Sequence, residues 1–147
     1  MGGTAVSGFA RNAKLAAYHS VAVHGGVANA DRHGLVQMLM DGAVERMTKA
    51  LGCIERGELA RKSALLHSAV TILAELRGNL NLTEGGALAQ NLSNLYEYMT
   101  RRLLLANANS NPKPISEVLD LLNEIRGAWT AIGPSVRQHA GVASGTR

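Results

Sequence analysis

The sequence predicts an all-α protein, an antiparallel four-helix bundle with an additional short N-terminal helical segment. Three observations predict it. Aromatic residues make up only 3% of the chain while Leu and Ala abound, a composition that suits helix-on-helix packing. No run alternates Val, Ile or Thr with polar residues as a half-buried strand would. Apolar residues instead recur at spacings of three and four over long stretches, and Gly or Pro separates those stretches.

The elements follow in order. Residues 1–13, "MGGTAVSGFARNA", are rich in Gly, Ala and Ser with little to bury and are expected to form a flexible tail. A short helical segment is expected through "KLAAYHSVAVH", ending at Gly25 and Gly26. Asp31 is the expected N-cap of a first long helix from Arg32 to about Glu55, and Gly57 breaks it. A second helix runs to about Arg77, with an inward stripe of Leu59, Leu66, Ala69, Leu73, Leu76 and Leu80. The third spans Ala87 to about Asn107 and turns Leu88, Leu92, Leu95, Met99, Leu103 and Ala106 inward. Pro112 and Pro114 interrupt it. The fourth runs from Ile115 to Ile132 with Ile115, Val118, Leu122, Ile125 and Trp129 inward, and Gly133-Pro134 is expected to close it. The bundle domain is thus residues 14–132, and 133–147 is a second flexible tail. Short loops between four long helices make neighbours antiparallel.

Composition narrows the function. The chain has 147 residues, one domain's length, and a single cysteine, Cys53, so neither an intrachain disulfide framework nor a Cys-rich zinc site is available. A reduced, cytoplasmic setting fits that usage. No secretory signal and no apolar run of membrane-spanning length is apparent, so no membrane insertion is expected. The formal charge of +4 does not mark a nucleic-acid binder. Residues 31–132 hold 11 of the 15 Lys and Arg and all 11 Asp and Glu, which leaves the body neutral and places the excess in Arg11, Lys14, Arg137 and Arg147.

The first long helix carries more apolar surface than its neighbours. Leu35, Leu39, Ala43 and Ala50 make one line, and Met40, Val44, Met47 and Leu51 make another beside it. Together they span about 180°, against the roughly 100° that a surface helix needs. On the third helix Tyr98 and Leu105 are seven residues apart and lie together off the inward stripe, while Tyr96 falls at its edge. Two coverings suit this surplus: the chain's own N-terminal segment with Tyr18, Val21 and Val23, or an amphipathic segment of another protein in a groove. Gly42 and Gly52 would let such a partner approach the first helix closely.

Catalytic chemistry is not signalled. No Glu-x-x-His pair, phosphate loop, Gly-x-Ser-x-Gly elbow or zinc-helix motif occurs, so no metal, no cofactor and no enzyme activity is expected. His67 lies well inside the second long helix and faces away from the stripe, the placement of a phosphate-accepting histidine. The run "HSAVTIL" lacks the Lys and Gly that usually follow such a residue. A His67-dependent phosphotransfer or signalling bundle is therefore the second reading of this chain.

Residues of about 18 to 132 resemble the FliS family of flagellin-export chaperones. The resemblance is carried by "AYHSVAV", "HGLVQMLMDGA", "IERGELARKSALLHSAVTILAEL", "GGALAQNLSNLYEYMTRRLLLAN" and "ISEVLDLLNEIRGAW" in this order. It implies a cytoplasmic, ATP-independent protein that binds the disordered C-terminal segment of flagellin, blocks premature filament assembly and aids delivery to the export apparatus. An export-gate component and other flagellar regulators are the further partners it suggests. Tyr18 matches the family's N-terminal tyrosine. The flagellin-binding candidates are Tyr18, Met40, Val44, Leu51, Tyr98 and Leu105, of which Met40, Val44, Tyr98 and Leu105 rest mainly on helical angle.

Overall fold

The structure, a computed structural model, describes the backbone of residues 28–145 and the side chains of residues 31–136. The expected N-terminal helical segment and Tyr18 lie outside the described residues. Four helices follow one another: α1 (Ala28–Arg56), α2 (Leu59–Gly78), α3 (Leu82–Asn109) and α4 (Pro112–Gly145). The described chain is all-α, as its composition and periodicity predict. It divides into two compact units, one of residues 38–127 and one whose described parts are 28–37 and 128–145.

Helix ends follow from local chemistry; α3 begins at Leu82 instead of Ala87 and α4 at Pro112 instead of Ile115, and two further corrections stand beside these. Asp31 does not cap α1; the helix begins at Ala28, and the carboxylate lies in the first turn, where the helix dipole favours it. Gly57 ends α1 with φ +72°, which lets Glu58 N–H reach back to the Cys53 carbonyl at 2.8 Å. Asn81 caps α3 by accepting from Glu84 N–H at 3.0 Å. A kink at Gly86, φ +56°, precedes the straight part of that helix. The second correction is larger: α4 continues through Gly133 and Pro134 to Gly145 instead of stopping at Ile132. Proline removes one N–H bond to the carbonyl four residues back, that of Thr130. Thr130 and Pro134 are exposed, so water can serve that carbonyl.

Within residues 38–127 the four helices close into a ring tied by hydrogen bonds. Arg46 Nε donates to Ser68 Oγ at 2.6 Å, joining α1 to α2. Arg77 Nε donates to Ser93 Oγ at 2.8 Å, joining α2 to α3. Arg102 Nε donates to Glu117 Oε1 at 2.7 Å, joining α3 to α4, and Arg126 Nη1 donates to Asp41 Oδ1 at 3.1 Å, joining α4 to α1. In this order α2 and α4 sit across the bundle from one another.

The core holds Met40, Ala43, Met47 and Cys53 from α1 and Leu66, Ala69, Leu73 and Leu76 from α2, with Met99, Leu103, Ile115, Val118 and Leu122 from the other two. On α3 the inward stripe is Ala89, Ser93, Tyr96, Met99, Leu103 and Ala106, a step around from the expected line over its first half. Leu88 is 70% exposed, and Leu92 and Leu95 are half-buried. Small side chains at Ala89 and Ser93 admit α2 closely, and the bond from Arg77 holds that rotation, which turns the leucines outward. Leu59 is 51% exposed because the inward position one turn later belongs to Lys62. Ile125, Trp129 and Leu80 are half-buried.

Lys62 is a buried cation with a defined task. Its Nζ donates to the Asn107 carbonyl at 2.9 Å and to Ser110 Oγ at 2.8 Å, capping the C-terminal end of α3. That is the end at which the helix dipole favours positive charge. Ser63 Oγ donates to Asn107 Oδ1 at 2.9 Å beside it. Ser110 itself takes the left-handed conformation that ends the helix.

In the other unit, His33 and Trp129 clamp the start of α1 to α4. Their rings stack with centroids 4.7 Å apart and an interplanar angle of 8°. Trp129 Nε1 donates to the His33 carbonyl at 3.0 Å, and His33 Nε2 lies 2.6 Å from the Trp129 carbonyl. A carbonyl only accepts, so Nε2 carries the proton.

Candidate functional site

Four of the apolar residues left outside the core border α4. On α1, Val44 and Leu51 are half-buried and two turns apart, hence on one side of the helix. Asp41, three residues before Val44, bonds Arg126 of α4, whereas Arg46 on the other flank bonds α2. Val44 and Leu51 therefore lie on the α4 side. On α3, Tyr98 and Leu105 are again two turns apart, with Arg102 between them. Tyr98 and Arg102 both bond Glu117, so this flank also borders α4. Leu105 is 46% exposed.

One candidate changes its role. Met40 is only 1% exposed and packs in the core beneath this surface, so it shapes the surface from within instead of meeting a partner. Helical angle alone placed it beside Val44, but its 40° offset from Val44 carries it inward among Leu39, Ala43 and Met47. The expected close approach at Gly42 and Gly52 is also corrected. Arg46 Nη1 lies over Gly42, 3.0 Å from where a Cβ would stand, and Arg56 Nη1 covers Gly52 at the same distance. Both glycines are roofed by this chain's own guanidinium groups.

A polar clasp fixes the α3–α4 flank. Tyr98 Oη donates to Glu117 Oε2 at 2.8 Å while Arg102 holds Oε1. The tyrosine hydroxyl, then the guanidinium, hold the Glu117 carboxyl below the usual glutamate range. The same bond pushes the Tyr98 phenol up. Tyr98 thus spends its hydroxyl inside the chain and stays half-buried. Tyr96, by contrast, is buried, and burial pushes its phenol up to about 12.

The arrangement offers apolar surface suited to binding. Among the described residues no group of three or more His, Cys, Asp or Glu is placed to hold a metal ion, and no helix is long and apolar enough to cross a membrane. His67 is exposed on α2, across the bundle from these flanks. What α4 and its neighbours present is paired apolar strips two turns long, with exposed Asp120, Asn123 and Glu124 between them on the outer face of α4. Such strips fit an amphipathic helix or an extended apolar segment. Sequence reading missed Lys62 and the His33–Trp129 clamp. The clamp joins residues 96 positions apart and leaves no local signature; an inward lysine at the start of α2 was readable only as a break in the stripe.

Comparison with known proteins agrees over most of the chain. Residues 14–136 match the family described as flagellar protein FliS. Flagellar secretion chaperone FliSB of Pseudomonas aeruginosa is 39% identical over 115 residues, covering 78% of this chain and 91% of its own length. Flagellar secretion chaperone FliS of Salmonella typhimurium is 40% identical over 121 residues, 82% of this chain and 90% of that protein. The Vibrio cholerae protein of the same name is 35% identical over 120 residues, 82% and 88%. This all-α chain belongs to the FliS family, whose named members here are flagellar secretion chaperones.

Proposed function

We propose that this chain is a cytoplasmic flagellar export chaperone that holds the disordered C-terminal segment of flagellin along the flanks of α4. Bound there, the segment cannot pair with other subunits, so filament assembly waits until delivery to the export apparatus. The observation that carries this reading is the set of Val44, Leu51, Tyr98 and Leu105, half-buried or exposed on both sides of one helix. A client that self-associates through amphipathic helices has its apolar faces masked by such strips, at the entropic cost of ordering it. Tyr18 joins this set through the family resemblance alone. Delivery would bring in an export-gate component as a second partner.

The test is a titration with the flagellin C-terminal segment. Val44→Asp and Leu105→Asp should each weaken binding by about tenfold or more, because a carboxylate would be desolvated against apolar side chains. Far-UV circular dichroism should show unchanged helicity. Normal binding by both variants would remove these flanks as the docking surface. His67→Ala should bind as the parent does; a loss there would favour the signalling reading instead.

A further inference from the structure

We infer that the α3–α4 flank takes its client segment as an amphipathic helix in one fixed direction, selected by opposite charges at the two ends of the flank. This deepens the proposed client binding and rests on it. The selecting charges are Lys113, Asp120 and Glu124 of α4, all exposed. None of them forms an ion pair among the described residues, whereas Glu117 between them is held by Arg102. Glu117 marks the side of α4 that faces α3, since Tyr98 and Arg102 both bond it. By helical angle Glu124, Lys113 and Asp120 fall within about 60° of Glu117, turned outward. Ser116 and Asn123, about 100° and 120° away, sit toward α1, where Arg126 is already bonded to Asp41. The unpaired charges therefore rim the flank of Tyr98 and Leu105, not that of Val44 and Leu51.

The two signs stand apart. α3 and α4 are joined by a short turn and run antiparallel, so Leu105 lies nearer the start of α4 than Tyr98 does. Lys113 is then at the Leu105 end, and Asp120 and Glu124, about 10 Å and about 16 Å further along the axis, are at the Tyr98 end. Helix chemistry within the chain does not account for this pattern. Asp120 and Glu124 are four residues apart, the spacing at which like charges destabilise a helix. Elsewhere the chain sets opposite charges at that spacing, Glu45 with Lys49 and Glu97 with Arg101. A cation brought by another chain relieves the repulsion. A client helix with its apolar side on Tyr98 and Leu105 turns a polar row toward α4. That row carries Lys or Arg over Asp120 and Glu124, and Asp or Glu about two to three turns away over Lys113. Turned end for end, the same helix sets like charge against like at both places, and this fixes its direction.

Titration of the full chain with the flagellin C-terminal segment, from about 10 mM to about 1 M sodium chloride, tests this as the screening length shrinks from about 30 Å to about 3 Å. The dissociation constant of the parent should rise with salt. The double variant Asp120→Lys, Glu124→Lys should raise it about tenfold at low salt and lose the rise with salt. Lys113→Glu should also raise it, about threefold. Attraction to net charge alone would move these variants in opposite directions; a matched charge pattern weakens binding in both. Opposite shifts overturn the inference. So do variants that match the parent in affinity and salt dependence while Leu105→Asp still loses binding, and in that case the proposed client and flank stand. A parent that does not bind the segment removes the client reading and this inference with it.

Discussion

α3 meets α2 on one side and α4 on the other, and the two seams are built differently. Toward α2 it presents Ala89 and Ser93, and polar bonds from Arg77, Ser63 and Lys62 fill the space between the helices. Toward α4 it presents Tyr98 and Leu105, with a single clasp on Glu117 and a leucine left 46% exposed. Small side chains and polar bonds fill the first seam, and Leu104 at its outer edge, three residues before the Asn107 that bonds Ser63, is as exposed as Leu105. The second seam carries large apolar side chains on both sides of α4 that another chain can cover. The difference teaches where a bundle of ordinary composition keeps room for a client.

The contrast can be broken first at its strongest point. Lys62→Met keeps an unbranched side chain but removes the ammonium from the Asn107 carbonyl and Ser110 Oγ, at a cost of about 2–3 kcal/mol. Urea denaturation should show that loss, with binding of the flagellin segment by the folded protein unchanged. Ser93→Leu should cost about 1–2 kcal/mol, since it overfills the close α2–α3 seam and removes the Arg77 bond. If Ser93→Leu were neutral, that seam would not be the closed one.

The α3–α4 clasp should show itself through pH. Glu117 is held below the ordinary glutamate range in the folded chain. Its contribution is therefore complete above the unfolded value, about 4.3, and is lost as pH falls through the lower folded value. The urea midpoint should drop less on acidification in Glu117→Gln than in the parent. An equal drop in both would show that the clasp adds nothing. Smallest of all, Leu105→Ala should alter stability by no more than about 0.5 kcal/mol, because its side chain is already half in water. A loss near that of a core leucine would mean this flank is closed.

Much of the fold was legible in the sequence because its signals are local. Gly57 marks the break after α1, Pro112 the start of α4, and the line Leu66, Ala69, Leu73, Leu76 gives the inward face of α2 directly. The phase of α3 was not legible. Ranked by hydrophobicity, Leu88 and Leu92 outbid Ala89 and Ser93, yet the close approach of α2 decides for the smaller pair. The end of α4 was misread for a related reason: Gly-Pro is a strong local stop, but an exposed turn tolerates the missing N–H. At the site, Val44, Leu51, Tyr98 and Leu105 could be placed by angle, whereas the inward turn of Met40 depends on which neighbours reach it. The arginine roofs over Gly42 and Gly52 depend on rotamers that no spacing encodes.

The central claim is that apolar flanks beside α4 are covered by a flagellin segment. Isothermal titration of the full chain with the flagellin C-terminal segment at several temperatures tests it most directly. A strongly negative heat-capacity change is the expected result, the mark of apolar surface leaving water, and it should shrink in Leu105→Asp. Tight binding with a heat-capacity change near zero, or no binding at all, would contradict it.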